Sequence, residues 1–276
     1  MRPTDTPPPD IRLVVVDLDG TLLDGQGALP AQTFAVMAAL RERGIVLAPA
    51  SGRQHATIER LFAGSGSADD LVVIAENGAL VTRGRERVST HPLERVWARG
   101  VVQRARTLGD EGVDLGVVVC GAESAWIERT DPGFRTEVER YYARLSTTPD
   151  LSTVDDDVLK IAIHDFGDPE GVTAPVLARF CAPRQVVVSG AHWVDVMEVG
   201  VHKGLAVRDL QASLGITPGQ TTAFGDFLND LEMLGAAEHS YAMANAHPAI
   251  LAAAAHVAPA NTDDGVLRTI REVLYV

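Results

Sequence analysis

Two aspartates leave the end of an apolar run in Val14-Val15-Val16-Asp17-Leu18-Asp19-Gly20-Thr21. Side chains at i and i+2 of an extended chain project to one side, so Asp17 and Asp19 crowd their charges, and Gly20 lets the backbone turn at once. An ordinary loop, in which carboxylates bind turn amides, accounts for one such Asp; beside a buried strand it is the weaker reading for two. A second acidic group stands in Phe224-Gly225-Asp226-Phe227-Leu228-Asn229-Asp230. Helix capping explains Asn229 or Asp230 but not Asp226 as well. Acids converging on one edge repel one another, and a hard divalent cation resolves the conflict; Mg²⁺ takes an oxygen shell of few carboxylates plus waters. Two smaller groups lie between. Ser51-Gly52-Arg53 offers a hydroxyl and an amide where a helix begins, a small anion pocket, and Lys203-Gly204 offers a point cation suited to a phosphoryl group. Alone, Ser51 reads as a helix N-cap and Lys203 as a solvated first-turn residue. Placed at the same sheet edge as the acids, both favour anion binding.

The elements that must position these residues follow from the apolar pattern. Arg12–Val16, Ile45–Ala48 and Leu71–Ala75 are apolar runs without alternation, expected of strands buried on both faces. Helices are predicted between them, from Pro30 to Arg43 and over Arg53–Phe62, and Asn77-Gly78 signals a turn after the third strand. This is the β-α-β-α-β grammar of a parallel sheet covered on both faces. The C-terminal part reads alike: helix Lys203–Leu214, strand Thr221–Phe224, helix Asn229–Leu234, the repeat Ser240–Met243 and Pro248–Ala255, and helix Val266–Leu274. Between Thr82 and Glu198 the grammar changes to α+β. Strands are predicted at Val88–His91, Gly116–Val119, Ala125–Glu128, Leu159–His164, Gln185–Val188 and Trp193–Glu198, with helices at Glu94–Leu108, Phe134–Leu145 and Thr173–Phe180. The last two strands flank a hairpin-like connection. We read residues 83–198 as an inserted domain dividing a core made of 11–82 and 199–276, after a flexible leader at 1–10.

Composition narrows the classes. The chain has 276 residues, 46% hydrophobic and 22% charged, enough to bury a real core and incompatible with disorder over most of its length. Its formal charge of −13 repels nucleic-acid backbones and anionic membranes, so neither is an expected partner. A single local cation still permits a small anionic substrate. Two cysteines, Cys120 and Cys181, make no disulfide framework, no zinc site, and fit a reducing compartment. The first residues hold no apolar run, which argues against a signal peptide, and a cytoplasmic protein is expected. Neither cysteine opens a Cys-x5-Arg loop, and no Gly-x-Ser-x-Gly or Gly-x4-Gly-Lys motif is present, which argues against cysteine phosphatases, serine hydrolases and P-loop NTPases.

Taken in order, Asp17-x-Asp19-Gly-Thr, Ser51-Gly-Arg, Lys203-Gly and Gly225-Asp226-x-x-Asn229-Asp230 resemble the haloacid dehalogenase (HAD) superfamily, more narrowly the Cof-type phosphatases with a class IIB cap. Glu76-Asn77-Gly78-Ala79, Met243-Ala-Asn245-Ala246 and Asp263-Asp264-Gly265-Val266 agree with that group's order. The resemblance covers both core halves almost completely; the inserted part matches in length and strand–helix rhythm, not in motif. Ser51 stands where the group often has Thr and keeps the hydroxyl. Phe227 stands where it often has a small residue.

The resemblance implies a Rossmann-like parallel-sheet core with an inserted α+β cap of type C2B, and a Mg²⁺-dependent phosphatase of small phosphomonoesters such as sugar phosphates. It makes Asp17 the nucleophile that forms an aspartyl-phosphate and Asp19 the general acid and base. It assigns the metal to Asp17, the main-chain carbonyl of Asp19 and Asp226, with Asp230 holding it directly or through water, and the phosphoryl grip to Ser51, Gly52, Lys203 and Asn229. The cap is expected to exclude water and read the leaving group, and the chain to be a monomer or weak homodimer. Two alternatives stand beside this: a phosphomutase of the same superfamily, and a non-catalytic sensor of a phosphorylated metabolite.

Overall fold

The computed structural model describes residues 10–66, 70–189 and 191–276. The leader expected at 1–10 therefore lies, up to residue 9, outside the described residues. The first elements are β1 (Leu13–Asp17), α1 (Thr33–Glu42), β2 (Val46–Ala50), α2 (His55–Leu61), β3 (Val72–Ala75), β4 (Leu80–Arg83) and β5 (Glu86–Thr90). Next come α3 (Arg95–Asp110), β6 (Leu115–Gly121), β7 (Ala125–Ile127), α4 (Pro132–Tyr141), β8 (Leu145–Thr147), β9 (Val158–Asp165), α5 (Ala174–Cys181), β10 (Gln185–Val188) and β11 (Trp193–Met197). Last are α6 (Lys203–Leu214), β12 (Thr221–Gly225), α7 (Leu231–Leu234), β13 (His239–Met243), α8 (Pro248–Ala253), β14 (His256–Ala258) and α9 (Gly265–Leu274).

The described residues form two compact units. The first holds the chain up to Ser51 together with Leu61–Ser89 and His202–Val276; the second holds Gly52–Arg60 and Thr90–Val201. In the first, the sheet order is β14-β13-β12-β1-β2-β3-β4-β5. β1 pairs in parallel with β2 on one side and β12 on the other, and β13, β14 and β3 extend the parallel part. β4 turns back antiparallel to β3 through Asn77 and Gly78, both at positive φ. Val14, Val15 and Val16 have no exposed surface, so β1 is buried on both faces and carries no alternation. Since the chain leaves β1 for β2 on one side while β12 lies on the other, the order reverses at β1. The carboxyl ends of β1, β2 and β12 open there into the crevice where ligands of such sheets sit.

The second unit is a mixed sheet of order β10-β11-β9-β6-β7-β8, antiparallel except for the β7–β8 pair. One face packs Ile161 and Ile163 of β9 and Val194 and Val196 of β11 against Val101 and Val102 of α3 and Leu177 of α5. Its other face carries Phe134 and Val138 of α4. Among the described residues no helix is long and apolar enough to cross a membrane.

Several local expectations need correction. Residues 52–60, read with the first unit, pack in the second. Gln54 exchanges two hydrogen bonds with the Arg144 backbone, at 2.8 and 2.9 Å, and Thr57 Oγ1 donates to the Tyr141 carbonyl at 2.9 Å. The helix predicted to reach Leu145 stops at Tyr141, because residues 145–147 pair with β7 instead. Ser51 is no N-cap: α2 begins at His55. The helix expected from Asn229 starts at Leu231, after a tight turn over Leu228–Asp230.

Candidate active site

Asp17 is the last residue of β1 and is buried. The chain then turns through Leu18–Leu22, with Gly20 at φ +81. A side chain at Gly20 would place its Cβ 2.3 Å from Asp226 Oδ2, so the glycine serves both the turn and the approach of β12's loop. Thr21 Oγ1 donates to Asp226 Oδ1 at 2.9 Å, binding the two loops together. Asn245 Nδ2 donates to the Gly20 carbonyl at 2.8 Å, and Asn245 Oδ1 accepts from the Asn261 amide at 3.0 Å.

Asp230 is fully buried, and one of its oxygens, Oδ2, accepts from the amides of Asp226 (2.9 Å) and Phe227 (3.1 Å). The other, Oδ1, accepts from Lys203 Nζ at 2.6 Å, and the same ammonium donates to Asp17 Oδ1 at 2.5 Å. Lys203 opens α6, and His202 Nδ1 accepts from the Leu205 amide, fixing that turn. Burial lowers the His202 pKa, which keeps the ring neutral and able to accept. A cation at a helix N-terminus opposes the helix dipole, and a buried one also loses its water. Two carboxylates offset both costs.

The electrostatics of this group are unbalanced. One carboxylate oxygen from each of Asp17, Asp226 and Asp230 lies within 4.8 Å of the others, three acids around one ammonium. Burial, reinforced by the neighbouring charge of Asp230, raises the Asp17 carboxyl well above the ordinary range despite the ammonium of Lys203. Burial and the same neighbour also raise Asp226, against the hydrogen bond from Thr21. For Lys203, burial acts to lower the pKa, but the charges of Asp17 and Asp230 outweigh it and hold the ammonium protonated. Oxygen donors in surplus of positive charge are the donor set of a hard divalent cation, and the residues present fit one.

The structure thus brings together Asp17, Lys203, Asp226 and Asp230. Asp19 is exposed two residues past the strand end, and its carboxylate is not among the three close acids. Ser51 is buried at the end of β2, its amide bonded to Ile74 and its carbonyl to the Asn77 amide. Gly52 follows it and begins the stretch that belongs to the second unit. Asn229 is exposed and donates to Asn77 Oδ1 at 3.3 Å. The sequence reading gave no role to Thr21, Asn245 or Asn261, although two of them sit inside motifs it quoted; a hydroxyl and amides that fasten loops leave no charge pattern to find. Of the aromatic and histidine residues in the second unit, Phe134, Tyr142, His164 and Trp193 are buried, and His164 and Tyr142 each meet Trp193 edge-on.

Comparison with known proteins gives this edge a lineage. Residues 14–270 match the family described as haloacid dehalogenase-like hydrolase. The chain is 31% identical over 267 residues to the 5-amino-6-(5-phospho-D-ribitylamino)uracil phosphatase of Escherichia coli (strain K12), covering 96% of both. Among solved structures it resembles a haloacid dehalogenase-like hydrolase from Bacteroides thetaiotaomicron, with a TM-score of 0.85 at 24% identity over 95% of this chain and 99% of that one. A HAD subclass IIB sugar phosphatase shares the fold at a TM-score of 0.79 and 20% identity, over 96% and 100%. Acid pairs on adjoining strand ends, a buried lysine between them and a match along nearly the whole chain have one common source: this protein belongs to the haloacid dehalogenase-like hydrolase family and has the subclass IIB fold.

Proposed function

We propose that this hydrolase is a Mg²⁺-dependent phosphatase of small phosphorylated metabolites that works through an aspartyl-phosphate on Asp17. The observation that carries the reading is the cluster of Asp17, Asp226 and Asp230 around Lys203 at the carboxyl end of β1. The Escherichia coli relative, named as a phosphatase of a phosphoribitylamino uracil, supports a small phosphomonoester as substrate.

Asp17, Asp226 and Asp230, with the main-chain carbonyl of Asp19, would hold the ion. When bound, Mg²⁺ supplies positive charge that offsets the repulsion between a carboxylate and a phosphate dianion. Asp17 attacks phosphorus, the P–O bond to the leaving group breaks, and the phosphoryl group stays on the carboxylate. Asp19, outside the crowded acids, gives its proton to the departing oxygen and then takes one from the water that attacks the aspartyl-phosphate. That second step releases inorganic phosphate and regenerates Asp17. Lys203, Ser51, Gly52 and Asn229 hold the phosphoryl oxygens, Lys203 by charge and the others by donated hydrogen bonds.

A panel of phosphomonoesters assayed with Mg²⁺ for released phosphate tests the reading, with Asp17→Asn as the control. We expect turnover in the wild type and none above background in Asp17→Asn, whose circular dichroism spectrum stays native. Phosphate release by Asp17→Asn at the wild-type rate would remove Asp17 as nucleophile. Continuous net release from a hexose phosphate, rather than conversion to an isomer, separates a phosphatase from a phosphomutase.

A further inference from the structure

A buried lysine also occurs in the second unit. Lys160 lies within β9, a central strand, and is 5% exposed. Strand alternation sends Ile161 and Ile163 toward α3 and α5, so Lys160 belongs to the opposite face with Ala162 and His164. An ammonium buried in a central strand is costly, and an apolar residue there would serve packing alone. Two of its contacts offset that cost. Asp195 of β11, 4% exposed, meets Nζ through Oδ2 at 3.2 Å, and Nζ donates to the Gly52 carbonyl at 3.0 Å. Asp195 cancels the charge; Gly52 takes a directed hydrogen bond.

Gly52 sits next to Ser51 in the chain. Glycine has the widest backbone freedom of any residue, so a turn made with it needs an outside restraint to present a fixed geometry. The stretch that follows is restrained in the same manner. Gln54 is doubly bonded to the Arg144 backbone, and Thr57 Oγ1 donates to the Tyr141 carbonyl while accepting from the Ala143 amide. Lys160 supplies the restraint at the first residue of this stretch. Asp195 pairs with its charge, and the directed bond from Nζ to the Gly52 carbonyl suits a geometric task.

We propose that Lys160 is a positioning residue for phosphoryl binding: held by Asp195, it fixes the Gly52 carbonyl and with it the turn that offers the Ser51 hydroxyl and the Gly52 amide to phosphoryl oxygens. The proposal rests on the phosphatase reading above. Its signature is a loss common to every substrate, since the phosphoryl group is the part they share.

The test compares wild type with Lys160→Met and Asp195→Asn in the full chain with Mg²⁺ present. Inorganic phosphate is the probe, its dissociation constant taken by calorimetry and by competitive inhibition. The value of kcat/KM is measured on p-nitrophenyl phosphate and on a hexose phosphate, and melting temperature is followed in parallel. Lys160→Met is expected to weaken phosphate binding on the order of tenfold or more, as small misplacements of binding groups do. Both esters should lose kcat/KM by the same factor. Asp195→Asn keeps the shape of the side chain and should shift the same constants in the same direction; if Lys160→Met does not fold, this variant decides. A lower melting temperature with unchanged phosphate affinity reduces Lys160 to a structural role and overturns the proposal. So does a loss confined to the hexose phosphate, which makes Lys160 a reader of the leaving group. Wild type inert toward both esters and unable to bind phosphate sinks the phosphatase reading, and this inference with it.

Discussion

Lys203 holds the acid cluster together. Its ammonium lies buried between Asp17 and Asp230, so its removal leaves two buried carboxylates facing each other. Breaking a buried pair from one side costs about 3–5 kcal/mol, and we expect Lys203→Met to lose about that much in urea unfolding with chelator present. The loss should depend on pH in a fixed direction. Asp17 holds its proton more tightly when folded than when unfolded. The metal-free protein therefore loses stability as pH rises from the ordinary carboxyl range, near about 4, toward the raised value. Lys203 opposes that loss, so Lys203→Met should fall further below wild type at pH 8 than at pH 5; an equal gap at both would remove Lys203 as the counter-charge. The acids were legible in the sequence because their chemistry has no structural excuse: an Asp at the end of an apolar strand, or a second Asp beyond what a cap needs, must answer to something else. Lys160 was not legible. It is a single lysine in an apolar run, and its partners Asp195 and Gly52 are distant in the chain and belong to no spacing pattern.

Elements were readable where an apolar run decided them, and unreadable where a neighbour did. β2, β3 and the part of β1 before Asp17 are continuous apolar runs, and α6 and α9 carry buried residues at helical spacing. β8 and β14 have three residues each and gain strand form only by pairing, with β7 and with β13. The docking of α4 on its sheet is of this second kind. In sequence Gly116 looks like a weakness in a strand; in the fold it is the space for a ring, since a Cβ at Gly116 would lie 2.2 Å from Cε2 of the fully buried Phe134. Gly116→Ala should therefore act as overpacking and cost about 1–3 kcal/mol in urea unfolding. The decisive measurement is the double variant with Phe134→Leu, whose smaller side chain yields room. Contact between the two positions predicts that the double variant loses less than the two single losses added together. Strict additivity would place the cost of Gly116→Ala in the strand backbone rather than in the helix it carries.

At the scale of the whole molecule, the chain enters the second unit twice, at 52–60 and at 90–201, and returns to the first each time. In the first, the valines of β1, Ala206, Val207 and Leu210 of α6 and Ile270 of α9 are all buried. In the second, α3 and α5 cover Ile161, Ile163, Val194 and Val196. Units with separate cores need not unfold as one, so calorimetry should resolve two heat-absorption steps. Their assignment follows from chemistry that touches only one of them. The close acids Asp17, Asp226 and Asp230 all belong to the first unit, so Mg²⁺ at a hundred times its dissociation constant should stabilise that step by about 2.7 kcal/mol and leave the other in place. Ile161→Ala, a truncation at a fully buried site, should lower only the second step, by about 2–5 kcal/mol. A single step that moves with both the ion and the substitution would mean that the two interiors melt cooperatively.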